Sequence, residues 1–222
     1  MKPVKTGIAG LDEFLLGGLP PKVILVSGSP GSGNEVFARQ ALFNRLKQGT
    51  EEEAVTYFTV NVSAESIRED MAAYGWDTTP LEEEGTWKFK SLQNETANSL
   101  PAAVLEEMKK HRTIAIDSIS ELLLTHKTKE LATLITSMTH QNRKSQDYHL
   151  LLLTEGMQDS QAETTMNHFA EGSINFALTW TADSTMRHLI IRKLSGTIIP
   201  TRRLNYTLGR KGIIIETATR IT

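Results

Sequence analysis

Gly28-Ser29-Pro30-Gly31-Ser32-Gly33-Asn34-Glu35 follows the apolar run Val23-Ile24-Leu25-Val26 and leads into a helical segment, Glu35 to Lys47. The stretch keeps every glycine of the loop G-x-x-x-x-G-K-[ST]. In that loop backbone N–H groups cradle phosphates, the lysine reaches the terminal phosphates and the hydroxyl holds Mg²⁺. Asn34 stands in the lysine's place and Glu35 in the hydroxyl's. The scaffold of a phosphate site is written here without the cation and the metal-binding oxygen that would work it.

Outward from the loop, Ile114-Ala115-Ile116 and Leu150-Leu151-Leu152-Leu153 are further short apolar runs, and Ala54 to Thr59 is a fourth strand candidate. Continuous apolar runs of this length suit parallel strands covered by helices on both faces. Helical segments lie between them: Ala64 to Tyr74 with Ser63 as N-cap, Pro101 to Lys110 with proline in its first turn, and Lys129 to Arg143. The alternation predicts βαβ units in a doubly wound sheet. From about residue 173 the pattern changes. Ile174, Phe176, Leu178 and Trp180 alternate with smaller or polar residues, and strand-like runs follow at 186–194, 201–208 and 212–217. These read as antiparallel strands extending one edge, with a hairpin turning at Ser195-Gly196 and projecting from the body.

The composition excludes several classes. At 222 residues and 39% hydrophobic the chain can fill one sizeable core. No signal-peptide pattern opens it, and no window approaches the roughly 20 apolar residues of a membrane span, so the expected location is the cytoplasm, away from membranes. With no cysteine there is neither a disulfide nor a thiolate site, and His111, His126, His140, His149, His168 and His188 show no paired ligand spacing. The charge is unevenly placed. Of 24 basic and 26 acidic residues, eight basic ones (Arg187, Arg192, Lys193, Arg202, Arg203, Arg210, Lys211, Arg220) and only Glu216 lie beyond Thr185, which leaves residues 1–185 at a net −9. This basic segment reads first as the solvent face of a sheet edge, then as a surface for the acidic body of a neighbouring subunit. Contact with nucleic acid is the weakest reading, because only Tyr206 is interleaved with the basic side chains.

Thr6-Gly7-Ile8-Ala9-Gly10-Leu11-Asp12-Glu13, then Gly17-Gly18-Leu19-Pro20 directly before the first strand and the glycine loop, resembles the KaiC-like branch of the RecA superfamily. Tyr57-Phe58 ahead of Ser63, Gly75-Trp76-Asp77, Ile116-Asp117-Ser118 as a Walker B strand end and Lys193-Leu194-Ser195-Gly196 match as well, so the similarity covers nearly the whole chain. The resemblance implies an ATPase, and four positions depart from it. Loss of the lysine at Asn34 removes a charged hydrogen bond of roughly 1.5–3 kcal/mol, about tenfold to a hundredfold in affinity. Glu35 adds repulsion of roughly 1–4 kcal/mol for like charges about 4 Å apart. The family's catalytic glutamate pair falls at Asn61-Val62, which cannot act as a general base, a contribution of about 10² to 10⁴ in rate. In the late hairpin Lys193 is kept, but Ser195 stands where the family carries an arginine that approaches the neighbouring subunit's nucleotide.

The loop itself has two sober readings, a tight strand-to-helix connection and a weak phosphate site, with turnover a distant third. In the first, Glu35 complements the helix N-terminus by roughly 0.3–1 kcal/mol, and the Asn34 amide or the Glu35 carboxylate supplies part of what a phosphate would give the loop. Asp117 is expected to hydrogen-bond the loop rather than ligate Mg²⁺. Glu155, at a strand's carboxyl end, reads as a solvated loop residue ahead of a site residue.

The reading is one domain, residues 1–222, with a RecA-like P-loop NTPase α/β fold: a mainly parallel central sheet flanked by helices, with C-terminal antiparallel strands. The expected function is that of a non-hydrolysing pseudo-ATPase, a regulatory or assembly protein that binds a protein or peptide, a second copy of itself or an active paralogue. A nucleotide-sensing switch that binds ATP or ADP weakly without turnover is the alternative, and a DNA-associated recombination accessory the third. No catalytic residue, metal or cofactor is expected, ATP with Mg²⁺ being at most a weak ligand. The nucleotide-site remnant comprises Gly28, Ser29, Pro30, Gly31, Ser32, Gly33, Asn34, Glu35 and Asp117. Asn61 and Val62 mark the lost catalytic position, and Lys193 and Ser195 a candidate subunit interface.

Overall fold

A computed structural model describes residues 3–49, 53–180, 184–196 and 203–216. The elements run α1 (Leu11–Phe14), β1 (Val23–Gly28), α2 (Asn34–Gln48), β2 (Ala54–Thr59), α3 (Ala64–Ala73), α4 (Thr79–Glu83), β3 (Trp87–Ser91), α5 (Leu100–Lys109) and β4 (Arg112–Asp117). They continue with α6 (Ile119–Leu122), α7 (Thr128–Ser145), β5 (His149–Thr154), α8 (Ser160–Phe169), β6 (Gly172–Trp180), β7 (Thr185–Leu194), β8 (Leu204–Gly209) and β9 (Gly212–Ile215). The strands form one mixed sheet in the order β3-β2-β4-β5-β1-β6-β7-β8-β9.

The apolar runs become the central strands because side chains that alternate along a strand meet a packed layer on each face. On β1, Ile24 and Val26 enter one core with Phe37, Tyr57, Trp87, Tyr148 and Phe176. Val23 and Leu25 enter the opposite core with Phe58, Val104, Ile135 and Met138. Ser63 caps α3 as its sequence position predicts, its hydroxyl accepting from the Ser66 N–H at 3.1 Å.

Two features differ from the sequence expectation. The strand beginning near residue 173 is not antiparallel to the body. Gly172–Phe176 of β6 pairs in parallel with Ile24–Gly28, and antiparallel pairing begins with β7. β7 pairs with β6 from Gly172↔Leu194 to Trp180↔Thr185. β6 is buried from Gly172 to Phe176 and opens to solvent toward Trp180, so its alternation does not report one covered face. The other difference is β3, parallel to β2 with Val55 opposite Trp87. Its Trp-Lys-Phe-Lys sequence is that of an edge strand with one wet face, and lysines protect such an edge. Residues 197–202, with the start of the expected 201–208 strand, lie outside the described residues. So do Thr217, Arg202 and Arg220.

Placing parallel strands β1, β4, β5 and β6 side by side brings their carboxyl ends together, where α/β sheets form their sites. No helix among the described residues is long and apolar enough to cross a membrane.

Candidate functional site

The glycine loop connects β1 to α2 with Gly31 at φ 80° and Gly33 at φ 88°, both in the left-handed region that glycine tolerates. A Cβ on Gly33 would lie 2.9 Å from a Leu208 methyl, so β8 packs directly on the loop. Beside Leu208, the buried Tyr206 hydroxyl donates to the Ser32 carbonyl. Burial raises the Tyr206 pKa, Arg187 opposing and Glu35 adding to the shift, so the phenol stays protonated and remains a donor. Arg187 of β7 reaches the Gly31 carbonyl at 3.5 Å.

Asn34 turns inward. Its side chain is buried, with Oδ1 accepting from the Ser32 hydroxyl at 3.3 Å and Nδ2 donating to the Val26 carbonyl at 3.5 Å. The amide thus ties loop to strand, which is the role of an internal brace. The Glu35 side chain is half-buried and makes no hydrogen bond among the described residues. The loop and helix-start N–H groups of Gly33, Asn34 and Glu35 likewise have no backbone partner among them, as expected of the first turn of a helix.

Asp117, at the end of β4, does not bond the loop. Its Oδ2 accepts from the Tyr57 hydroxyl at 2.6 Å and from Arg39 Nη2 at 3.3 Å. Arg39 lies on the face of α2 turned to the sheet, its side chain 10% exposed. It also pairs with Asp70 of α3 at 3.0 Å and donates Nε to the Tyr57 oxygen at 3.3 Å. Burial disfavours the guanidinium charge, yet the Tyr57 and Asp117 interactions outweigh it and raise its pKa. Burial, with the neighbouring Asp117 charge, raises the Tyr57 pKa too. The cluster is a positive guanidinium held between two carboxylates with a protonated phenol bridging.

Glu155 is not a free loop residue. Its Oε1 accepts from Asn175 Nδ2 at 2.7 Å and Ser27 Oγ at 3.4 Å and pairs with Arg192 at 3.5 Å, while Arg192 also donates to Asn175 Oδ1 at 3.1 Å. These side chains sit at the ends of β1, β5 and β6 beside the loop, because Gly28 pairs with Thr154 on one side and Phe176 on the other. Asn61 and Val62 lie apart from them, exposed just past the end of β2, which β4 and β5 separate from β1. Glu121 Oε2 accepts the Asn61 backbone N–H at 3.3 Å.

Lys193 is committed within its own chain. Its ammonium donates to the Asn167, His168 and Ala170 carbonyls at 3.4, 2.8 and 2.6 Å. These are the free carbonyls at the end of α8, where a cation is favoured. Ser195 is exposed, and its N–H continues the sheet to the Glu171 carbonyl at 2.9 Å. The pair expected at a subunit interface is thus split between a helix cap and a strand end.

The structure therefore adds Arg39, Tyr206, Leu208, Arg187 and Asn175 to the neighbourhood of the site. Arg39 had a signal in the sequence: a lone arginine inside Val36-Phe37-Ala38-Arg39-Gln40-Ala41-Leu42-Phe43 must find buried partners. The others had none, since strand pairing alone carries β7 and β8 to the loop.

A glycine loop between a buried parallel strand and a helix, with an aspartate ending the strand one removed from it, defines a RecA-like nucleotide-binding architecture. The chain belongs to the KaiC ATPase family, whose model matches residues 4–220. A UPF0273 protein of Aeropyrum pernix is 31% identical over 96% of this chain and 92% of its own length. A UPF0273 protein of Pyrococcus horikoshii is 46% identical over a shorter stretch, 37% of this chain and 32% of that one. Among solved structures, a KaiC-like protein of Pyrococcus horikoshii superposes with a TM-score of 0.82 over 97% of this chain and 99% of that one at 22% identity, a likeness of fold.

The Mg²⁺ that the family implies does not fit these residues. The hydroxyl that would ligate it at position 35 is absent, and Asp117 Oδ2 already accepts from Tyr57 and from the Arg39 guanidinium. A divalent ion brought to Asp117 would stand beside the Arg39 guanidinium and be repelled by it.

Proposed function

We propose that this chain is a KaiC-family pseudo-ATPase, a non-hydrolysing member that works by binding a protein or peptide as a regulatory or assembly subunit. The observation that carries the reading is the position of Asn34. The residue that should extend a cation over the phosphates is instead buried against Ser32 and Val26, so the loop is braced from within. Three further points support it: Glu35 adds negative charge at the phosphate position, Asn61 and Val62 offer no carboxylate, and Leu208 and Tyr206 pack on the loop. Phosphate release from Mg-ATP, measured with the purified chain, is expected to stay at the level of the buffer. Turnover that disappears in an Asp117→Asn variant would refute the reading.

A second reading, a switch that binds ATP or ADP without turnover, is favoured by one specific feature. The N–H groups of Gly33, Asn34 and Glu35 still lack backbone partners among the described residues, and Arg187 stands at the loop. Calorimetric titration with ATP separates the two, saturable micromolar binding favouring the switch and none at millimolar concentration the scaffold. Cytoplasmic location and a self-association or paralogue partner belong to the same proposal.

A further inference from the structure

We infer that Arg39 is a resident cation standing where a divalent metal would stand at Asp117, so that this pocket is assembled without metal and whatever phosphate compound enters it does so metal-free. The inference rests on the pseudo-ATPase reading and specifies the electrostatics of the same site.

The geometry carries it. Arg39 enters from α2, the helix that opens with the loop, and its guanidinium meets Asp117 of β4 at 3.3 Å and Asp70 of α3 at 3.0 Å. Tyr57 of β2 closes the cluster, donating to Asp117 at 2.6 Å and accepting from Arg39 at 3.3 Å. One planar cation thus joins α2, α3, β2 and β4. A guanidinium presents several donors in fixed directions and keeps its charge at every accessible pH, so the cluster is permanently loaded. With a cation supplied from inside, the Asp117 oxygen that faces α2 is occupied before any ligand arrives, and a divalent ion at Asp117 would stand against the guanidinium.

The probe is Mn²⁺ alone, with the free ion followed by electron paramagnetic resonance on the full chain. Wild type is expected to leave the Mn²⁺ signal unchanged. Arg39→Met, which keeps most of the apolar stem and removes the charge, is expected to melt on the order of 5–10 °C lower. It should also take up Mn²⁺, and Arg39→Met with Asp117→Asn should lose that uptake and recover part of the melting temperature. A structural cross-link would move the melting temperature but not the Mn²⁺ signal. Saturable Mn²⁺ binding by wild type that Asp117→Asn abolishes would overturn the inference, as would a folded Arg39→Met that leaves Mn²⁺ free. Should Arg39→Met fail to fold, the wild-type and Asp117→Asn titrations still decide the matter. Metal binding without phosphate release removes this inference alone, whereas phosphate release from Mg-ATP removes the pseudo-ATPase reading beneath it.

Discussion

His149 should make this protein lose stability in mildly acidic solution, starting above the range in which ordinary carboxylates titrate. The imidazole is fully buried at the start of β5, with Nδ1 accepting the Ile114 N–H at 3.0 Å and Nε2 facing Asn142 Oδ1 at 3.1 Å. Since Nδ1 faces a backbone donor, the ring is neutral with its proton on Nε2, and a second proton would set two donors against each other. Burial pushes its pKa down from 6.5 to about 4, the Asp147 charge opposing. A histidine whose pKa is depressed by folding contributes stability that is complete above the unfolded value and is lost as pH falls through the window toward the folded one. At about 1.4 kcal/mol per unit, the difference of about 2.5 units caps the loss at about 3.4 kcal/mol, of which about 2.6 kcal/mol is gone by pH 4.5. For a chain of this size that is roughly 5–10 °C in melting temperature. Urea unfolding at pH 7.5, 6.5, 5.5 and 4.5 should show the fall, and the ring should keep its neutral NMR shift down to pH 5.5 and begin to titrate only toward pH 4.5. Glu107 does not confound the window. Burial opposes its charge, but bonds from Lys90 and Lys110 hold its pKa down at about 2, so its contribution is lost only below the unfolded carboxylate range. A flat stability profile from pH 6.5 to 4.5, or His149 titrating near 6.5, would refute the argument.

Asn34→Lys with Glu35→Thr restores the cation and the hydroxyl; ATP affinity by calorimetry should rise by at least about tenfold to a hundredfold. Phosphate release should stay near background because Asn61 and Val62 supply no base, and appreciable turnover would show that a carboxylate such as Glu121 serves instead. Lys193→Met should lower the melting temperature by a few degrees, the loss of a helix-end cation being about 1–2 kcal/mol, and leave the sedimentation coefficient unchanged. A changed oligomer at constant stability would return Lys193 to an interface role. Gly33→Ala forces an L-residue to φ 88° and a methyl to within 2.9 Å of Leu208, which should cost about 1–3 kcal/mol in urea unfolding. Leu208→Ala in the same chain should recover only the packing part.

The central architecture was legible before any coordinates because parallel strands buried on both faces leave unbroken apolar runs. Ala54–Thr59 is β2 to the residue, and the runs at Val23, Ile114 and Leu150 seed β1, β4 and β5. The loop glycines and their two altered neighbours were legible for the same kind of reason: backbone freedom and side-chain charge are local properties, readable one residue at a time.

What the sequence could not supply is where distant side chains meet. Asp117 is bound by Arg39 and Tyr57, 78 and 60 residues away, and Lys193 caps a helix that ended before the previous strand began. The parallel seat of β6, which carries β7 and β8 against the loop, likewise follows from strand order and register. Those pairings are fixed by packing two cores at once, a cooperative choice that no single window of sequence encodes.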